Sequence, residues 1–185
     1  MRYFFSRLQP EATRILLIES GSRYLLEGLI SGIRATYGNS IFVDLVTCYP
    51  GMPEGFDPAT TKVYRVTDYR GREGRGRLYR ELARNRYSIA GMICSAEPIM
   101  TKWKWSLAAR LPAKFFILNE NGDYFWIDYG HWALIRHFIL FRAGLAGAGA
   151  VRTLARLALF PLTLLFLLAY AGFAHLTRTS EKVAQ

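Results

Sequence analysis

The run RILLIESGSRYLLEGLISGIRATYGNSIFVDLVT, residues 14–47, decides the fold. Its opening RILLI, residues 14–18, is an apolar stretch of strand length. Across residues 22–37, Leu25, Leu26, Leu29, Ile30 and Ile33 recur at helical spacing, and Gly38 supplies the stop signal. IFVDLV, residues 41–46, reads as a second strand. Strand, helix and strand at these lengths form a βαβ unit, and therefore a parallel pair.

The alternation continues downstream. A Pro/Gly-rich loop over residues 50–59 leads to a third strand at 62–66. A basic helix follows over 75–86, and a fourth strand over 89–94. Pro98 suits the first turn of a helix running to about Leu111, and KFFILN, residues 114–119, is the fifth strand. The expectation is α/β: a Rossmann-like, mostly parallel sheet of about five strands in residues 1–130.

Composition sets the remaining frame. The 185 residues carry 24 Lys and Arg against 14 Asp and Glu, a net charge of +10, with 51% hydrophobic residues. That apolar content excludes a disordered chain. Two cysteines without paired CxxC spacing exclude both a disulfide-stapled mini-protein and a structural zinc site. The mean hydropathy is positive, +0.10, despite so much arginine, so the apolar residues must be concentrated.

They are concentrated at the far end. LALFPLTLLFLLAYAGFA, residues 157–174, contains no charge, and about 20 apolar residues suffice to cross a bilayer core as a helix. The expected span is 152–177 with a short tail at 178–185. Residues 131–151 hold an amphipathic juxtamembrane helix and the small-residue hinge AGLAGAGA. Arg136, Arg142, Arg152 and Arg156 precede the span, against Arg178 and Lys182 beyond it. The positive-inside rule then places the N-terminal domain in the cytoplasm of a single-pass inner-membrane protein. Residues 1–10 lack an apolar h-region, so no cleavable signal is expected. Both cysteines are then expected as free thiols.

In open α/β sheets, ligands bind beyond the carboxyl ends of the strands. Those ends carry Glu19, Ser20 and Gly21; then Asp68; then Ser95 and Glu97; then Asn119 and Glu120. Serines are ordinary helix caps, whereas Glu19, Glu97 and Glu120 are not, which makes the glutamates the better functional candidates. The Asp128 and His131 loop could form an acid–base pair. No GxGxxG, Walker A or GxSxG motif occurs, so no nucleotide cofactor, metal or serine nucleophile is expected. Residues 65–86 contain eight arginines, and Arg70, Arg72, Arg77, Arg80 and Arg84 would suit phosphate. Anionic lipid at the bilayer surface or a lipid diphosphate is the nearest source, and nucleic acid ranks last. Trp105, Trp126 and Trp132 suit either a membrane interface or core packing.

ILLIESGSRYLLEGLISGIRATYG followed by IFVDLVT, with NRYSIAGMICS at residues 85–95, resembles the acceptor-side half of GT-B glycosyltransferases. The similarity covers roughly residues 14–120. It lies with heptosyltransferase-like enzymes and with the membrane-anchored subunit of split GlcNAc transferases. The heptosyltransferase-like pattern has a Gly-Asp pair in the first turn supplying a base; here Gly21 is followed by Ser22. The resemblance therefore implies Glu19 as base, with Ser20, Gly21, Ser95 and Asn119 shaping the pocket. No second Rossmann domain follows residue 120, so it also implies a donor-binding protein partner. The competing expectation is a non-catalytic subunit of a membrane complex that uses a degenerate Rossmann-like body for docking.

Overall fold

In the computed structural model, described over residues 3–6, 10–95, 97, 99–147 and 150–183, the chain divides into two compact units, Met1–Trp132 and Ala133–Gln185. The first unit is α/β. Its strands are β1 (Arg14–Glu19), β2 (Phe42–Thr47), β3 (Val63–Arg65), β4 (Ile89–Ile93), β5 (Lys114–Leu118) and β6 (Tyr124–Trp126). Its helices are α1 (Arg23–Tyr37), α2 (Gly71–Arg84) and α3 (Thr101–Arg110). The sheet order is β3-β2-β1-β4-β5-β6, parallel throughout except for β6, which pairs antiparallel with β5.

Five expected strands are therefore six. KFFIL and YFW are joined by a hairpin whose turn holds Asn121 and Gly122, the glycine at φ +84°. Asn-Gly is a strong hairpin dipeptide because its positive φ suits the strand twist. The basic helix also starts at Gly71 rather than 75, because a short 3-10 turn over Val66–Asp68 feeds straight into it. The helix expected from Pro98 begins at Thr101, and Pro98 itself lies outside the described residues.

Right-handed crossovers place α1 on one face of the sheet and α2 and α3 on the other. On the α1 face, Ile15, Leu17, Val43, Leu45 and Ile89 pack with Leu25, Leu26, Ile30 and Ile33. Residues facing the other way, including Leu16, Ile18, Ala90 and Met92, are buried as well. Burial on both faces explains why these strands read as unbroken apolar runs. Gly91 faces Phe116 across β4 and β5; a Cβ there would lie 2.2 Å from the phenylalanine ring.

Buried ionic ties brace the unit. Asp44, in the middle of β2, accepts from the Tyr87 hydroxyl at 2.6 Å and pairs with Arg14 at 3.2 Å. Burial first, and then the hydrogen bond to Asp44, pushes the Tyr87 phenol well above its usual pKa. Lys114 pairs with Asp128 at 3.0 Å, both side chains almost fully enclosed. Lys114 also donates to the Ser6 carbonyl at 3.1 Å, and the Tyr129 amide donates to the Phe4 carbonyl at 2.7 Å. The N-terminal segment is thereby clasped to β5 and to the loop after β6.

The second unit contains most of α4 (Trp132–Arg142) and all of α5 (Ala150–Val183). Over Ala150–Phe173, α5 is long and apolar enough to cross a membrane, with mean hydropathy 2.0 and none of its apolar window buried. Pro161 lies inside it without ending it.

Candidate functional site

Polar side chains cluster where β1 and β4 lie side by side. The chain leaves β1 toward one face and β4 toward the other, which makes their carboxyl ends the topological switch point of the sheet. Gly21 is buried there, and a Cβ on it would meet Ile93 Cγ2 at 2.4 Å and Ser95 Oγ at 2.9 Å. Only glycine fits this turn. Ser20 is fully buried and its Oγ donates to the Ile93 carbonyl at 2.6 Å, stitching the β1 turn to β4. Lys104, on α3, donates to the same carbonyl at 3.3 Å and is only 5% exposed.

Ser22 stands at the N-cap of α1 but its hydroxyl makes no cap hydrogen bond. It donates to Glu97 Oε2 instead, at 3.3 Å, tying the turn after β1 to the segment after β4. Glu97 is exposed. The Ser95 hydroxyl oxygen is shielded from water and has no hydrogen-bond partner among the described residues. Free amides of the first turn of α1 face the same edge, as at any helix N-terminus.

Glu19 sits deeper. It is fully buried: Arg23 Nε donates to Oε1 at 2.7 Å, and Thr47 Oγ1 donates to Oε2 at 2.5 Å. The hydrogen bond to Glu19 is the main reason the Arg23 guanidinium is held even more firmly protonated than usual, against a smaller opposing effect of burial. Arg23 also reaches the Pro50 carbonyl at 3.2 Å and lies over the Tyr49 ring. Both carboxylate oxygens are thus occupied by donors. Cys48, next along the chain from Thr47, is a free thiol that burial pushes up in pKa, which makes it a poor thiolate nucleophile.

The structure brings Glu19, Ser20, Gly21, Ser95 and Glu97 to one edge and leaves the other candidates elsewhere. Asp68 follows β3, two strands away from β1, with its carboxylate turned to its neighbour Thr67. Asn119 belongs to the β5–β6 hairpin: its Oδ1 accepts from the Asn121 and Asp123 amides, both at 2.9 Å. Glu120 is exposed in that turn. Asp128 and His131 do meet, at 2.7 Å, but Asp128 is buried, bound to Lys114 as well, and serves to cap the turn that follows β6.

The arginines form an exposed face along α2. Arg70 is its N-cap and donates to the Thr67 carbonyl; Arg77 lies over the Tyr69 ring and pairs loosely with Glu81 at 3.8 Å. Arg72, Arg80 and Arg84 are exposed and pair with no carboxylate among the described residues. Of the tryptophans, Trp105 and Trp132 are exposed, whereas Trp126 packs against Phe116 with ring centroids 5.6 Å apart.

Sequence reasoning did not single out Lys104 or Asp44. For Asp44 the signal was a lone charge inside the apolar run IFVDLV; Lys104 stands in the cation–indole alternation TKWKW, where nothing in the sequence sets it apart from Lys102. No family model, curated protein or solved structure matches this chain.

Proposed function

We propose that this chain is a membrane-anchored, glycosyltransferase-related acceptor-side subunit for envelope polysaccharide or glycolipid assembly, paired with a separate donor-binding protein. The observation that carries the reading is the cluster of polar side chains at the β1/β4 switch point, in a chain that also holds a helix apolar enough to cross a membrane. The resemblance of the first βαβ unit to GT-B acceptor domains supplies the chemistry. In this reading α5 spans the inner membrane, the α/β unit faces the cytoplasm, and α4 lies along the interface as an amphipathic helix. The arginines of α2 face anionic headgroups or a lipid diphosphate. Ser22, Ser95 and Glu97 line the acceptor pocket. Glu19 reaches a proton only when Arg23, its half-exposed partner, swings aside.

A second reading, a non-catalytic docking subunit, is favoured by one specific observation. Glu19 is fully enclosed and both its oxygens are taken. A general base contributes about 10²–10⁴-fold to a rate, and only with a free lone pair aimed at the proton. The test is purification of the full chain in detergent with its bound proteins and lipids, followed by sugar transfer from nucleotide sugars. Loss of transfer in Glu19→Gln or Glu97→Gln, with the partner still bound, supports the enzyme subunit. Co-purification of a membrane complex that is unaffected by either change, and without transfer, supports docking.

A further inference from the structure

The five parallel strands all start at the same edge of the sheet, the one opposite Ser22 and Glu97. α1, α2 and α3 each end there, and β6, being antiparallel, ends there too. Five exposed aromatic rings gather on this amino edge. Tyr37 closes α1, Phe42 opens β2, and Tyr129 and Trp132 follow β6. Phe5 is 85% exposed beside them, because the carbonyls on either side of it, those of Phe4 and Ser6, accept from Tyr129 and Lys114. The other exposed aromatics described in the unit are dispersed, with Tyr24 and Tyr124 on the opposite edge and Trp105 on α3.

The same edge is cationic. Lys62 precedes β3, Arg84 ends α2, Arg86 precedes β4 and Arg110 ends α3, and all four are exposed. Against them stand the exposed acids Glu11, before β1, and Asp57, in the loop before β3. Aromatic rings set among lysines and arginines suit a membrane–water interface, where the rings sit at headgroup level and the cations meet lipid phosphates. The centre of a protein–protein interface is instead depleted in charge.

The path of the chain points to the same occupant. Trp132 is the last residue of the α/β unit, and residues 133–149 alone separate it from the apolar helix that opens at Ala150. The edge that carries Trp132 is therefore tethered by a short linker to any bilayer that α5 crosses. We infer that the amino edge of the sheet seats on the headgroup layer of that membrane, with Phe5, Phe42, Tyr129 and Trp132 as anchoring rings and the arginines on lipid phosphates. β1 rises about 17 Å from this edge, so the Ser22 and Glu97 edge stands clear of the headgroups and open to a soluble partner. The inference rests on the membrane-spanning part of the proposed reading and is independent of sugar transfer.

The experiment uses the full chain carrying Cys48→Ser and Cys94→Ala, reconstituted in vesicles of phosphatidylcholine and phosphatidylglycerol. The vesicles contain phosphatidylcholine with a nitroxide quencher at the headgroup or at mid-chain. One fluorophore-labelled cysteine is placed by Ser40→Cys or Pro112→Cys on the amino edge, by Thr67→Cys or Asn121→Cys on the opposite edge, or by Leu165→Cys in α5; all five positions are exposed. The headgroup quencher should dim labels 40 and 112 and spare 67 and 121, while the mid-chain quencher dims 165. In the variant Phe42→Thr/Tyr129→Ser/Arg84→Gln/Arg86→Gln, losing two charges lowers the seated-to-free ratio about thirtyfold before the rings are counted. Quenching at 40 and 112 should then fall to the level of 67 and 121, with 165 unchanged. The four replaced side chains are exposed, so the core of the unit is kept. Quenching that is equal on both edges, stronger at 67 and 121, or unchanged by the variant would overturn the inference. A quenched label at 165 with unquenched labels at 40 and 112 sinks it alone and leaves the edge to a protein partner. A label at 165 that escapes the mid-chain quencher sinks the membrane-spanning reading and this inference together.

Discussion

Removing the cation from Glu19 separates a carboxylate that holds the fold from one that works as a base. Arg23→Met keeps the aliphatic stem and takes away the Nε donor at 2.7 Å, leaving Thr47 as the remaining side-chain donor. Breaking a buried ion pair from one side costs about 3–5 kcal/mol, because the surviving charge is left in low dielectric. The Arg23 side chain is 34% exposed, so water already screens part of the attraction. The expected cost is therefore near the bottom of that range, about 3 kcal/mol. Adding Glu19→Gln in the same chain removes the stranded charge and should return about 2 kcal/mol, which the double-mutant cycle reads as coupling. The measurement is guanidinium unfolding of the detergent-solubilised chain followed by tryptophan emission, with the slope checked for constancy. If Arg23→Met costs under about 0.5 kcal/mol and shows no coupling, the locked-carboxylate argument is refuted. Glu19 would then be open to water and available as a base.

Asp128→Asn should destabilise the α/β unit by about 3 kcal/mol or more, since it strands the buried Lys114 ammonium; thermal unfolding measures it. Burial alone would raise the Asp128 pKa, but hydrogen bonds from His131 and Lys114 together outweigh it and hold the carboxyl below its ordinary value of 3.8. Its contribution is accordingly complete above that ordinary value and is lost as pH falls through the lower folded one, so the acid limb of stability should flatten in Asp128→Asn. Replacing Arg77, Arg80 and Arg84 by Gln in a chain truncated before Arg152 should weaken sedimentation with anionic vesicles about a hundredfold, at about 1 kcal/mol per charge. Unchanged binding at low salt would mean the α2 face is merely solvated. The same truncation should release the α/β unit from carbonate-resistant membranes. Gly91→Ala should cost about 1–3 kcal/mol in the same thermal assay, because its methyl must displace the Phe116 ring.

Much of the sheet was legible because its strands are buried on both faces and their apolar runs stand out between helical periods. β1, β2, β4 and β5 fall within a residue or so of where RILLI, IFVDLV, the fourth apolar run and KFFILN place them. β6 escaped because three residues are too few for a period to register, and its marker was the Asn121-Gly122 turn rather than YFW itself. That omission also governs Asn119 and Glu120. Taken as the free end of a parallel strand, they point at a crevice; in a hairpin, Asn119 spends its amide on the turn. For Glu19, position was readable and pairing was not. Sequence puts it at the end of β1, but only the fold shows that Arg23 at the start of α1 and Thr47 on the neighbouring strand converge on its two oxygens.

The clasp on the N-terminal segment bears on how the domain closes. Lys114 reaches Ser6 across 108 residues, and Tyr129 reaches Phe4 across a longer separation still. Contacts this remote in sequence form late, because the loop entropy is lost before they repay it. A chain emerging from the ribosome could pair β1, β2 and β4 well before Tyr129 exists, and the clasp could close only after that. Residues 3–6 and the β6 margin would then be the last parts to set and the first to loosen. Their amides, together with those of β6, should exchange with solvent deuterium ahead of the β1–β2–β4 interior.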